Sequence, residues 1–197
     1  MGDFCIYSMN TMQLDKLLRG IKKKDRKAQK ALYEQYAPVF MGIAMRYLKN
    51  IPEAEDALAE AFIKIFTKIH TYKDKGSFEG WMKRIVVNEC LMVLRQKRNQ
   101  HMYVSLDDVD VEIDPQVIDK MSAEEIWEVI QELPEGYRTV FNLYEIEGLK
   151  HREIAKALDI SIHTSKSQLI MAKRELRELL KKNLITKKYE SEGNVAG

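Results

Sequence analysis

HREIAKALDISIHTSKSQLIMAKREL, residues 151–176, is the stretch on which the fold turns. Ile154, Leu158, Ile160 and Leu169 fall at the spacing that the small core between two crossed helices requires. Ala155 is small where the second helix must approach closely, and Asp159-Ile160-Ser161 has the length of the motif's three-residue turn. The pattern predicts a helix-turn-helix. Its second helix presents Ile162, His163, Thr164, Lys166, Ser167 and Gln168 at the N-terminal end, where base edges are read in a major groove. Gln makes bidentate contacts to adenine, and Lys contacts guanine or phosphate. His151, Lys173 and Arg174 complete the DNA-facing set, the last two suited to phosphate. Against the motif stands Asp159, at a turn position usually held by Gly, where a left-handed conformation is costly. An ordinary helix pair with a solvated basic face has the same pattern.

Upstream, a helical set begins near Ser122, with Ile126, Val129, Ile130 and Leu133 in a stripe ending at Pro134. Tyr137 to Glu145 reads as the next helix, then a turn at Glu147-Gly148. The short helix runs from about His151 to Leu158 and the long one from about Ile162 to Asn183. The tail KKYESEGNVAG reads as disordered.

The first half is also helical. Met12 to Leu48 reads as two helices broken near Pro38, with Leu32, Tyr36, Val39, Ile43 and Tyr47 at helical period. Asn50 and Pro52 signal the next start, and Leu58, Phe62, Ile65, Phe66 and Ile69 stripe that helix. After the polar loop Tyr72 to Gly76, Ser77 is the expected N-cap of a helix that reaches Arg98. Between the halves, residues 99–121 are acidic, contain Pro115 and keep no helical period. They read as a linker, with a reach of at most roughly 75–80 Å when extended. The fold class is therefore all-α: two small helical domains, 12–98 and 122–184, joined by an acidic linker, 99–121, the C-terminal domain a helix-turn-helix.

The net charge of +2 conceals segregation into basic runs at Arg19 to Lys30, Arg95 to Arg98 and Lys173 to Lys188, and an acidic run at Asp107 to Asp119. Cys5 and Cys90 are too few and too far apart for a disulfide scaffold or a cysteine-rich metal site. No leader pattern and no run of the roughly 18 apolar residues that cross a bilayer is read, so a cytoplasmic protein without membrane insertion is expected. No P-loop, HExxH or GxSxG occurs, and the four histidines are scattered. Glu53, Glu55, Asp56 and Glu60 suit the positive end of a helix without any metal. No catalytic residue, metal or cofactor is expected.

In the helix after Ser77, Arg84, Asn88, Leu91, Arg95 and Arg98 recur at spacings that place them on one face, with Lys97 beside them. Such a face suits phosphate and groove contacts. Phe78 and Trp81, next to the loop with Tyr72 and Lys73, offer rings on which unpaired bases can stack. The plain alternatives are core packing for the aromatics and a solvated surface for the arginines.

These residues resemble a known family. SFEGWMKRIVVNECLMVLRQKR, preceded by YEQYAPVFMGIAMRYLKNIPEAEDALAEAFIKIF, is similar to region 2 of the extracytoplasmic-function sigma factors of the sigma-70 family. LPEGYRTVFNLYEIEGLKHREIAKALDISIHTSKSQL is similar to their region 4, in the right order after a linker. The resemblance implies an RNA polymerase sigma subunit. Its partners would be core RNA polymerase, promoter DNA in double- and single-stranded form, and an anti-sigma factor. It implies that Asp56, Glu60, Ile63 and Lys64 lie on the helix that docks on the polymerase. Tyr72, Lys73, Trp81, Arg84, Asn88, Arg95, Lys97 and Arg98 would open and read the −10 element, and the helix from Ile162 the −35 element. Where the family often has Gly-Thr-Val-Lys-Ser-Arg-Leu, this chain has His163, Ser165 and Gln168, which implies a divergent −35 preference. The acidic linker resembles the segment that follows the polymerase's RNA path. A stand-alone helix-turn-helix regulator is the other reading, but it would normally need a dimer to cover paired half-sites.

Overall fold

The computed structural model describes residues 11–73, 76–98 and 122–193. Cys5, the linker 99–121 and residues 194–197 lie outside them. Every regular element among the described residues is helical. The backbone groups into two compact units, with the boundary between Val93 and Leu94.

In the first unit, α1 (Thr11–Lys22) and α2 (Arg26–Tyr47) form a tight pair. Gly20 sits so close to α2 that an added Cβ would lie 2.7 Å from that of Ala28. The chain turns at Lys23 and Lys24, the latter left-handed at φ 59°, and Asp25 restarts the helix by accepting the Lys27 N–H at 2.9 Å. The expected break near Pro38 is therefore corrected: the break is at Lys24, and Pro38 lies inside α2. An interior proline costs roughly 3 kcal/mol. It is tolerated because Pro38 is exposed, while Leu32, Phe40, Ile43, Ala44 and Tyr47 continue one buried stripe on both sides of it. Burial of side chains such as Leu32 and Phe40 stabilises by roughly 1.5–3 kcal/mol each.

Asn50 caps α3 (Ile51–Lys68), accepting the Glu53 N–H at 3.1 Å, with Pro52 in the first turn as the sequence predicts. The inward face of α3 alternates small and large residues: Ala54, Ala57, Leu58, Ala61, Phe62 and Ile65. The alanines let the backbones of α2 and α3 close up, and Phe62 fills the gap against Tyr33 and Phe40. A 3-10 turn, Ile69–Thr71, ends the helix. Ser77 then caps α4 (Phe78–Arg98), its Oγ accepting the Gly80 N–H at 3.0 Å.

In the second unit, a reciprocal capping box between Ser122 and Glu125 starts α5 (Ala123–Glu132). Arg138 on α6 (Glu135–Phe141) is almost fully buried and donates from Nη1 to the Leu133 carbonyl at 2.9 Å, holding the corner at Pro134. Burial pushes its guanidinium pKa down, and Glu135 opposes the shift. The expected helix Tyr137 to Glu145 gives way at Asn142–Ile146 to a π turn. α7 (His151–Leu158) and α8 (Ile162–Gly193) follow. α8 corrects the reading of the tail: it runs on through Lys187, since no Pro or Gly interrupts the chain from Ile162 until Gly193.

Candidate nucleic-acid interface

α7 ends and α8 begins within three residues, as the spacing predicts. Asp159 takes the left-handed conformation, φ 54° and ψ 52°, and the N–H groups of Asp159 and Ile160 both bond to the Ala155 carbonyl. The chain can then reverse without leaving the end of α7 unsatisfied. Ser161 caps the next helix, accepting the Thr164 N–H at 2.9 Å. Ile154, Ala155, Leu158 and Leu169 are buried between the helices, and Ile160 is half-buried.

This packing fixes what the start of α8 shows to solvent. Ile162, His163 and Lys166 are exposed, with Arg174 exposed two turns further on. Thr164, Ser167 and Gln168 are half-buried at the edge of the same surface. Ser165 is not part of it: its exposure is 0%, so it cannot meet a base edge. Its Oγ lies 3.0 Å from His151 Nδ1 on α7. The His151 ring stacks on Tyr144, centroids 4.6 Å apart and planes within 25°. Burial, then the charges of Lys166 and Lys173, hold the His151 pKa below its ordinary value. Lys173 is half-buried and pairs with Glu145 at 2.9 Å. The residues around Ser165 are therefore organised by contacts between positions 14 and 28 apart in sequence, which no local pattern reveals.

In the first unit, the aromatics near the loop form one cluster. Tyr72 meets Phe78 edge-on at 5.2 Å and Trp81 at 5.7 Å, and Phe78 stacks on Trp81 at 5.7 Å. Phe78 is buried, whereas Tyr72 and Trp81 are half-buried and retain partial access. The Tyr72 hydroxyl donates to the Gly76 carbonyl at 2.9 Å, and Gly76 has a φ of 90° that strongly favours glycine. Lys73, Arg84 and Asn88 are exposed; past the unit boundary at Val93, on the last turns of α4, Arg95 and Lys97 are half-buried, and Arg98 closes the helix. Leu91 is buried, which corrects its placement on the arginine face. The exposed strip of α4 instead runs Arg84, Asn88, Met92 and Gln96.

On α3, Asp56, Glu60 and Ile63 lie along one exposed face with Glu55 and Ala59, and Ile63 is 54% exposed. Lys64 turns away from them. Its Nζ pairs with the buried Glu89 carboxylate on α4 and approaches Met92 Sδ at 3.8 Å. Neither Glu89 nor Arg138 stands out in the sequence, because a lone charge within an apolar stripe does not announce its partner. Among the described residues no group of His, Cys, Asp and Glu is arranged to hold a metal ion. No helix there is long and apolar enough to cross a membrane.

Residues 32–100 match the family model for sigma-70 region 2, and residues 123–176 that for sigma-70 region 4. The chain is 27% identical to the RNA polymerase sigma-H factor of Pseudomonas aeruginosa, over 87% of this chain and 96% of that protein. It is also 27% identical to the ECF RNA polymerase sigma factor SigW of Bacillus subtilis, over 86% and 98% of the two chains. A solved structure of the sigma factor RpoE with the anti-sigma factor NepR from Bartonella quintana aligns at 18% identity and a TM-score of 0.46, covering 77% of this chain and 96% of that one.

Proposed function

The chain belongs to the sigma-70 family, and from that membership we propose how its two helical units divide the work of a sigma factor. As an extracytoplasmic-function sigma factor it binds core RNA polymerase and directs recognition and opening of promoters. The observation that carries this is the ordered pair of matches, region 2 then region 4. A stand-alone regulator gives the first unit no role.

The exposed first turns of α8 read the −35 element, with Gln168 and Lys166 at base edges and Arg174 on phosphate. The half-buried Tyr72 and Trp81, beside exposed Lys73, Arg84 and Asn88, engage the −10 element once it is single-stranded. Extruding a base costs a few kcal/mol, and ring stacking of about 1–3 kcal/mol per base offsets it. Arg95, Lys97 and Arg98 extend that surface along α4. Asp56, Glu60 and Ile63 form the face that docks on the polymerase, and Lys64 supports it through Glu89. The nucleotidyl chemistry stays with the polymerase, so no catalytic residue is assigned here. The protein acts in the cytoplasm, and an anti-sigma factor that covers the docking face would silence it.

Reconstitution with core polymerase tests the reading. The expected result is a complex that co-elutes and starts transcription from promoters that core alone ignores. Failure to co-elute, or co-elution without initiation, overturns it.

A further inference from the structure

The buried stripe of α8 consists of Ser165, Leu169, Ala172, Leu176 and Leu180. Four of the five are apolar. The exception, Ser165, is the one nearest the end of the helix that faces DNA, where an apolar side chain would fill the same place without a partner. A hydroxyl at this depth needs a hydrogen bond, and His151 supplies one at 3.0 Å from the first residue of α7.

His151 is itself held in place. Its ring stacks on Tyr144, in the π turn that precedes the motif. The neighbouring residue of that turn, Glu145, holds Lys173 on α8. The same turn therefore grips α8 at two points, through His151 at Ser165 and through Glu145 at Lys173. Eight residues separate these points, about 12 Å along a helix at 1.5 Å per residue. Two anchors that far apart define both the tilt and the rotation of a rod. Of the two, the Lys173–Glu145 pair is about one-third exposed on each side, whereas Ser165 is fully enclosed. An exposed ion pair is loose and screened by salt, so the enclosed bond is the stiffer anchor.

We propose that the His151–Ser165 hydrogen bond sets the angle at which α8 enters the major groove, making both positioning residues for −35 reading although neither touches a base. The inference rests on the assignment of α8 to the −35 element. Three properties follow. Loss of His151 leaves the enclosed Ser165 hydroxyl unsatisfied, loss of Ser165 frees the half-buried His151 ring from α8, and either disturbs the reading end. Loss of both, with apolar replacements, restores a packed contact. The number of phosphates neutralised is unchanged throughout.

The test uses the full chain bound to core polymerase and a promoter DNA library randomised at the −35 element. Selection with the parental holoenzyme yields a preferred −35 sequence, and binding to that sequence and to a scrambled one is then measured. Ser165→Ala and His151→Phe should each reduce the preference for the selected sequence by about tenfold. The double variant should return to within about threefold of the parent, a coupling that only interacting partners show. His151→Asn, which keeps a hydrogen-bonding group near the position of Nδ1 but loses the ring, should retain more preference than His151→Phe. The dependence of affinity on salt should have the same slope in all of them, since no phosphate contact is removed.

Single variants that match the parent, or losses that multiply in the double variant, overturn the proposal. So does a shallower salt slope for His151→Phe, which would make His151 a direct phosphate contact. Ser165→Ala removes only a hydroxyl and favours helix, so it reports even if His151→Phe fails to fold. If the parental holoenzyme selects nothing at the −35 element, the assignment of α8 fails, and the pair has no angle to set.

Discussion

Lys64 of α3 and Glu89 of α4 form an ion pair between the two helices, with the lysine part-exposed and the carboxylate enclosed. Removing one member of a buried pair leaves a charge without compensation, whereas exchanging both for apolar groups can be neutral or stabilising. Lys64→Met should lower the unfolding free energy by about 2–3 kcal/mol, somewhat less than for a fully enclosed pair because the lysine is partly solvated. Lys64→Met with Glu89→Leu should recover most of that loss. Urea titration of the three proteins checks both statements.

Asp159 carries a backbone strain that the sequence made visible. At φ 54° it occupies a region that costs an L residue roughly 1–2 kcal/mol, with Asp among the more tolerant. Asp159→Gly should raise stability by about 0.5–1 kcal/mol, part of the relief being offset by the greater freedom of glycine in the unfolded chain. Asp159→Val should lower it. Thermal unfolding gives the order Gly, Asp, Val.

The pH response of the second unit follows from His151. Its pKa is held down in the fold by burial and by Lys166 and Lys173, of which Lys173 is paired with Glu145; the Ser165 hydroxyl and the Tyr144 ring are in direct contact with it. The unfolded chain therefore binds a proton first. The contribution of His151 is fully present above the unfolded pKa of about 6.5 and is lost as pH falls through the lower folded value. Thermal melts should show the protein losing stability from pH 7 toward pH 5, and His151→Phe losing less over that range. A folded-state His151 that titrates at or above 6.5 by NMR would contradict this.

Gln168 and Lys166 should separate sequence reading from charge. Gln168→Ala is expected to change preference at one −35 base pair, worth about 1–3 kcal/mol, and leave the salt slope intact. For Lys166→Ala, a contact to phosphate would weaken all sequences alike and lower the salt slope by about one, while a contact to guanine would act at a single position. Titrations of promoter variants at several salt concentrations distinguish the outcomes.

Cys90 is enclosed in the first unit, and burial pushes its thiol up to about 12. Only the thiolate reacts quickly. Iodoacetamide at pH 8 should leave Cys90 unmodified in the folded protein and label it in urea, as peptide mapping would show.

The elements legible in the sequence are those whose cause is local. Asn50, Ser77 and Ser122 each announce a helix start because the capping side chain bonds an N–H within three residues. The turn at Asp159 is legible from the three-residue spacing between the two apolar patterns. Pro38 misled because its cost is local, while the burial that outweighs it lies on both sides along α2. The π turn at Asn142–Ile146 is absent from the apolar pattern, which reads through it as ordinary helix. For the candidate interface, the sequence identified which residues line the start of α8. It gave no sign that Ser165 faces inward to His151, because that depends on how α7 crosses α8.

The two sides of α3 are under different rules. Alanines at 54, 57 and 61 are the admission condition for α2, and almost any enlargement there would force the helices apart. Asp56, Ala59, Glu60 and Ile63, on the opposite side, are exposed. If this strip is the docking face proposed above, a lineage could rewrite its letters, and with them the strength of docking on polymerase, without refolding the domain. Competition among several such subunits for one enzyme could then be tuned by drift along a single strip of surface.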